Sequence, residues 1–254
     1  MTYQENLIYD VGFHKGEDTR VYLREGFRVV AIEANPLLAE EGKKLFAKEI
    51  QDGRLTLLNI GVGNEFGELD FWVNDYLTEW SSFDKSAGCR SGSACHSVKV
   101  KCIPLTEVFK EYGVPFYFKV DIEGYDIYCL QQIDPACKPK YLSTEAWSVE
   151  WLRLLHEKGY TKFKIINQVD GFHPIDIARE RSKIRYIRNR FYRYFMKNRK
   201  DVPYVFGSSG PFAEQTEGPW LDFKTAEDLF CQFKENGTGK PINPLSWFDF
   251  HATY

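Results

Sequence analysis

"LIYDVGFHKGEDTRVYL", residues 7–23, decides the fold class. An apolar run ends at Asp10, Gly12 and Gly16 follow, and a stretch with helical spacing comes next. This is the pattern of a strand, a turn and a helix. Glycines at such a turn allow close approach of backbone to a ligand, and the start of the helix offers N–H groups to an anion. Glu33, at the end of the next apolar run, lies 21 residues after Gly12. A carboxylate there can accept hydrogen bonds from both hydroxyls of a ribose. The dinucleotide fingerprint needs G-x-G-x-x-G to admit a pyrophosphate. Here the spacing is G-x-x-x-G, and Asp10 precedes the first glycine by two residues. A charge at that point opposes a pyrophosphate and favours a cationic ligand. S-adenosylmethionine meets these conditions, with a ribose, an amino group, a sulfonium and no phosphate. A purely structural turn is the competing reading.

The flanking sequence repeats the alternation. "FRVVAIEA", residues 27–34, is a second buried strand, and "NPLLAEEGKKLFAKEIQDG", 35–53, a single helix with Pro36 in its first turn. "RLTLLNIGV", 54–62, is a third strand, "GELDFWV", 67–73, an added strand and "VKVKCIPL", 98–105, a half-exposed one. Helix "LTEVFKEYG", strand "FYFKVDI", short helix "IYCLQQI", strand "KYLSTEAW", helix "SVEWLRLLHEKGY" and strand "KFKIINQ" follow. Strands alternating with helices predict a doubly wound, mostly parallel α/β sheet. On such sheets ligands sit at the carboxyl ends of strands, where the strand order switches. The expectation is a single domain over 1–254, with an inserted basic segment at 169–203.

"FKVDIEGYD", 118–126, gathers Lys119, Asp121, Glu123 and Asp126 around one strand end. Carboxylates at a buried edge are costly unless paired or used. If the strand continues, Lys119, Asp121 and Glu123 share a face. The bland alternative is a salt-bridged loop with Asp126 capping a helix.

At this point the chain resembles the FkbM family of S-adenosylmethionine-dependent methyltransferases. The likeness rests on "YDVGFHKGEDT", "VVAIEANP", "LNIGVGNEFGELDFWV", "SSF" at 81–83 and "FKVDIEGYD", in family order over roughly residues 7–168. "GSSGPF" and "WFDFHA" add a weaker likeness to a subgroup. The resemblance implies the Rossmann-like methyltransferase sheet with one late antiparallel strand, and methyl transfer, usually to oxygen, often on sugars or secondary metabolites. It implies a methionine end lined by Asp10, Gly12 and Gly16, a ribose held by Glu33, and Asn59, Gly61 and Val62 near the adenine, with Phe13, Thr19, Ala34 and Asp121 as further cofactor-binding residues. Asp121 and Glu123 then face the methyl group and the acceptor. His14 is a further candidate base, or else caps the following helix or binds the cofactor carboxylate. A divalent ion shared by Asp121, Glu123 and Glu145 is a lesser alternative, so no resident metal is expected.

Composition sets further bounds. The chain has 254 residues, 27% charged and 43% hydrophobic, as soluble globular proteins do. The start "MTYQENLIYD" reads as no signal peptide, and no apolar run approaches a membrane span. The expectation is a cytoplasmic enzyme with reduced thiols at Cys89, Cys95, Cys102, Cys129, Cys137 and Cys231. The spacing of Cys89, Cys95, His96 and Cys102 matches no common zinc pattern, so "DKSAGCRSGSACHS", 84–97, reads as a mobile loop. "GSSGPFAEQTEGPW", 207–220, reads as a surface loop, an anion nest or a gate. Trp80, Trp147 and Trp220 are core residues or covers for a ligand face.

Residues 179–200 carry a net charge of +9 in a chain of −3, so the remainder is −12. Ile184, Ile187, Phe191 and Tyr194 recur at helical spacing. A basic amphipathic helix can pack on its own acidic domain or bind an anionic acceptor, a membrane surface or RNA. Nucleic acid is disfavoured as a partner and a small-molecule or carbohydrate acceptor preferred. A nucleotide-dependent oxidoreductase and a non-catalytic cofactor-binding module complete the alternatives.

Overall fold

In the computed structural model the described residues are 3–169, 171–182, 184, 204 and 207–254. They group into two compact units, Met1–Lys140 and Tyr141–Tyr254. The basic amphipathic reading falls almost wholly outside the described residues.

The first unit opens with β1 (Gln4–Val11), α1 (Glu17–Arg24), β2 (Arg28–Ile32), α2 (Pro36–Leu45), α3 (Ala47–Gln51) and β3 (Leu55–Leu58). It continues with β4 (Gly61–Gly63), β5 (Gly67–Asn74), α4 (Lys85–Gly88), β6 (Cys95–Pro104), α5 (Leu105–Tyr112), β7 (Pro115–Val120) and α6 (Asp126–Gln131). The strands β7, β1, β2 and β3 lie side by side in that order, all parallel. Leu7, Ile8 and Tyr9 of β1 and Val29 to Ile32 of β2 are buried. Such continuous apolar runs are what a parallel strand covered on both faces requires. The chain builds outward from β1 through β2 to β3, then returns to the other side of β1 as β7. The strand order therefore switches between β1 and β7, which opens a crevice at their carboxyl ends.

Two details depart from the sequence reading. The run 54–62 splits into β3 and β4, because Gly61–Gly63 leaves the main sheet to pair with β6. β4, β6 and β5 form a second sheet, with β4 parallel and β5 antiparallel to β6. Its apolar face is Phe71, Val73 and Val100, packed on Phe83 and Val98. The expected helix 35–53 breaks at Phe46, whose φ of −107° and ψ of 25° leave the helical region. Its ring turns inward onto Phe13, edge to face at 5.7 Å, and tertiary packing overrides local propensity.

The second unit contains β8 (Tyr141–Glu145), α7 (Val149–Glu157), β9 (Lys162–Asn167), α8 (Ile177–Glu180), β10 (Leu221–Asp222), α9 (Phe223–Phe233) and β11 (Phe248–Thr253). β11 runs antiparallel between β8 and β9, which matches the late antiparallel strand expected, and the two-residue β10 also pairs antiparallel with β9. The loop at 207–212 is not a surface loop. Ser208, Ser209 and Phe212 are buried. Glu180, the one acid among residues 179–200, is buried and accepts hydrogen bonds from Asn167, Asn243 and Ser246. Trp147 and Trp220 donate to Glu145 and Glu214 of this same unit.

Candidate active site

The site at the β1–β7 switch begins with a buried charge cluster. Asp10 faces Lys119 across the β1–β7 register. Lys119 Nζ donates to Asp10 Oδ1 at 3.0 Å and to the Gly12 carbonyl at 2.9 Å, and lies 3.5 Å from Asp18. Thr19 Oγ1 donates to Asp10 Oδ2 at 2.6 Å. Burial would favour a neutral Lys119, but Asp10, Asp18 and Asp121 outweigh it and hold its pKa well above the ordinary lysine range. Asp10, Phe13 and Thr19 are all essentially inaccessible. Asp10 and Thr19 lock the base of the turn, and Phe13 packs against Phe46. Lys119 is shared among Asp10, Asp18 and Asp121, so acids outnumber the lysine in this cluster.

The turn itself carries a different selection. Gly12 and Phe13 N–H groups both donate to the Ile32 carbonyl at 3.0 Å. His14 N–H donates to Glu33 Oε2 at 2.7 Å, Lys15 N–H to Glu17 Oε2 at 3.2 Å, and Gly16 N–H to the Phe13 carbonyl at 2.8 Å. Every N–H from Gly12 to Gly16 is therefore satisfied within the chain. A phosphate-binding turn needs those donors.

Gly12 is held at φ +91°, and a Cβ there would stand 1.9 Å from the Asp121 carbonyl oxygen. The two turns at the switch point touch backbone to backbone, which only glycine permits. Gly12→Ala is expected to lower the unfolding free energy by about 1–3 kcal/mol from the left-handed backbone alone, with the clash adding to it. Urea unfolding measures this, and an unchanged midpoint would contradict the packing described.

Glu33 follows β2 and is buried. Its oxygens accept the His14 and Asn35 N–H groups, both at 2.7 Å. Burial pushes its pKa up to about 7 despite those donors. Asn59 Nδ2 donates to the Glu33 and Ala34 carbonyls. Gly61 and Val62 are buried in β4, with Gly61 against the Phe83 ring and Cys102.

On the other wall, β7 ends at Val120, so Lys119, Asp121 and Glu123 do not share a strand face as expected. Lys119 points into the core, and Asp121 is 42% exposed. Glu123 takes a left-handed φ of 54°, as His14 does at 51°. Strained non-glycine residues of this kind concentrate at functional sites. Burial and the Asp121 charge raise the Glu123 pKa to about 7, with Arg90 working against them. Asp126 is buried behind, its pKa raised to about 8 by burial and Asp121.

Sequence reading missed the third wall. Arg90 forms an ion pair with Glu123 and lies 4.8 Å over the Trp80 ring. Ser82 Oγ donates to the Glu123 carbonyl at 3.1 Å. His14 Nε2 and Thr78 Oγ1 are 2.9 Å apart. The "SSF" stretch was a signal for Ser82, but nothing local marks Arg90. Its segment is not the expected free-thiol loop, since Cys89 and Cys95 are joined in a disulfide. His96 pairs with Asp75, and Cys102 is buried and unbridged. Among the described residues, no three His, Cys, Asp or Glu are grouped to hold a metal ion, and no helix is long and apolar enough to cross a membrane.

The family model described as Methyltransferase FkbM domain matches residues 10–162. No curated protein matches the chain. Precorrin-6y C5,15-methyltransferase from Geobacter metallireducens is similar at 9% identity and TM-score 0.41, covering 99% of this chain and 82% of that one. Phosphoethanolamine N-methyltransferase 2 from Haemonchus contortus, solved with S-adenosylhomocysteine, is similar at 12% identity and TM-score 0.39. That match covers 99% of this chain and 49% of the other, so this chain spans about half of that enzyme's length. An S-adenosylmethionine-dependent methyltransferase from Thiobacillus denitrificans is similar at 10% identity and TM-score 0.36, with 99% and 86% covered. Likeness at this level carries no substrate across.

Proposed function

The chain belongs to the FkbM methyltransferase family, and from that premise we propose that it transfers a methyl group from S-adenosylmethionine to a hydroxyl oxygen of a carbohydrate or related small molecule. One juxtaposition carries the reading. At the carboxyl ends of β1 and β7, a turn without free N–H groups faces a half-buried carboxylate with a pKa of about 7.

The residues present fit this cofactor. The turn from Gly12 to Gly16 lacks donors for a pyrophosphate, and S-adenosylmethionine has none to place there. Each Glu33 oxygen accepts one backbone N–H, and a carboxylate oxygen has a second lone pair for a ribose hydroxyl. Ala34 and Asn59 would flank the adenosine, while Gly12 and Gly16 would admit the methionine end. When bound, the cofactor supplies an electrophilic sulfonium methyl group.

The chain's own residues must do the rest. Alignment of the acceptor oxygen by the site walls can supply roughly 7–11 kcal/mol of the barrier. Glu123 is placed to accept the hydroxyl proton as the new C–O bond forms. A base whose pKa lies near the working pH is the most effective kind. Asp121, more exposed, stands at the mouth, where a carboxylate suits a cationic ligand. His14 stays a lesser candidate base, because its ring is already engaged with Thr78 and Glu17. The single-domain reading with an insertion at 169–203 and the cytoplasmic location remain part of this proposal. An anionic acceptor, or an RNA, depends on residues 183 and 185–200, which lie outside those described.

Calorimetric titration tests the cofactor first. Micromolar binding of S-adenosylmethionine and S-adenosylhomocysteine is expected, with none of NAD. A folded sample that binds neither sulfur ligand would sink the assignment.

A further inference from the structure

Arg90 is held on the Glu123 carboxylate from several directions. Its Nε donates to the Ala87 carbonyl at 3.0 Å, and its own carbonyl accepts from Ser93 Oγ at 2.9 Å. Buried Asn74 ties both ends of the segment, donating to the Gly88 carbonyl at 2.8 Å and to Ser93 Oγ at 2.6 Å. Ser91 and Gly92 take positive φ values of 58° and 69°. The Cys89–Cys95 bridge spans this turn, with Arg90 as the first residue inside the loop it closes. Cys95 is fixed in the second sheet, opposite Asn74. Cys89 ends α4, a helix of a single turn, which has little stability of its own. Both cysteines are half-buried rather than enclosed, so a small thiol can reach them.

We propose that the Cys89–Cys95 bridge is a thiol-sensitive clasp that holds Arg90 against Glu123, making Arg90 a positioning residue for the acceptor side of the site. The inference rests on the reading that puts Glu123 beside the acceptor. The clasp opens by exchange with external thiols. A thiolate attacks one cysteine sulfur, the S–S bond breaks, and the electron pair leaves on the other cysteine. A second external thiolate then displaces the first cysteine, giving two protein thiols and one external disulfide. Arg90, Asp121 and Glu79 act on Glu123, and buried Asp126 is coupled to it from behind. Arg90 favours its ionised form, while Asp121 and Glu79 oppose it. Freeing Arg90 leaves the two carboxylates unopposed, so Glu123 holds its proton to higher pH.

A pH titration of the Glu123 carboxyl carbon by NMR, on protein labelled at glutamate, reads this without an acceptor. The resonance is identified by its loss in E123Q. Wild type with excess dithiothreitol, C89S/C95S and R90M are each expected to titrate about one pH unit or more above oxidised wild type. C89S/C95S should not respond to dithiothreitol, and R90K should titrate near wild type. If reduced wild type titrates with the oxidised protein, the clasp is overturned. If R90M also does so, the ion pair has no effect either. Methyl transfer by E123Q distinguishes the underlying reading: full transfer would remove Glu123 as base while the titration result still supports the clasp.

Discussion

Replacing Lys119 with methionine is expected to cost about 3–5 kcal/mol of folding stability, the usual result of removing one partner from a buried ion pair. The side chain of Lys119 is 4% exposed, that of Asp10 is wholly buried and that of Asp18 is 4% exposed. Methionine fills a similar volume, so the loss reports charge rather than cavity. Lys119 also donates to the Gly12 carbonyl, so its removal loosens the turn beside the site. The pH dependence follows from the raised pKa. A lysine raised on folding contributes stability that is complete below its unfolded value and is lost only as alkali passes the folded one. The contribution of Lys119 in the parent is therefore constant across the neutral range. A double variant with Asp10→Asn should be less destabilised than the two single losses added together, because the removed charges are coupled. Urea unfolding of the four proteins measures this. Additive losses, or a Lys119→Met as stable as the parent, would show that the cluster is not the lock described.

Much of this architecture was legible because its causes are local. Unbroken apolar runs mark buried parallel strands, and the glycines at 12 and 16 mark a turn that side chains could not make. The order of motifs sets Glu33 just past the end of β2 and Asp121 and Glu123 just past the end of β7. What sequence could not show depends on distant partners. Asp10 read as an active charge, yet its counter-ion stands 109 residues away in β7. The turn read as a place where backbone comes close to a ligand, and the N–H groups of residues 12–16 are taken by Ile32, Glu33, Phe13 and Glu17. Phe46 sits in a strongly helical stretch and breaks it to reach Phe13. Arg90 lies among serines and glycines without periodicity, and only the fold brings it to a carboxylate 33 residues on. In each case local propensity was sound, and a long-range contact decided the function of the residue.

Glu123→Gln is expected to reduce methyl transfer by ~10²–10⁴-fold, the usual contribution of a positioned base, while S-adenosylmethionine binding changes little. Glutamine preserves the shape of the side chain and can still meet Arg90 through its amide oxygen, but it cannot take a proton. The measurement is transfer of radiolabelled methyl to a panel of sugars and glycosides, beside calorimetry of the same variant. The pH dependence separates a base from a merely structural acid. Glu123 acts only when ionised, and burial together with Asp121 raises its pKa to about 7. Activity of the parent should climb as pH rises through about 7 and level off above it. Glu123→Gln should have lost that limb, keeping a low rate that is flat across the same range. Asp121→Asn should behave differently. It removes a charge that opposes ionisation of Glu123, so the limb should move to lower pH with transfer retained. A Glu123→Gln variant with full turnover and the parental pH limb would take the base elsewhere, with His14, 25% exposed and beside Glu17, the next residue to replace.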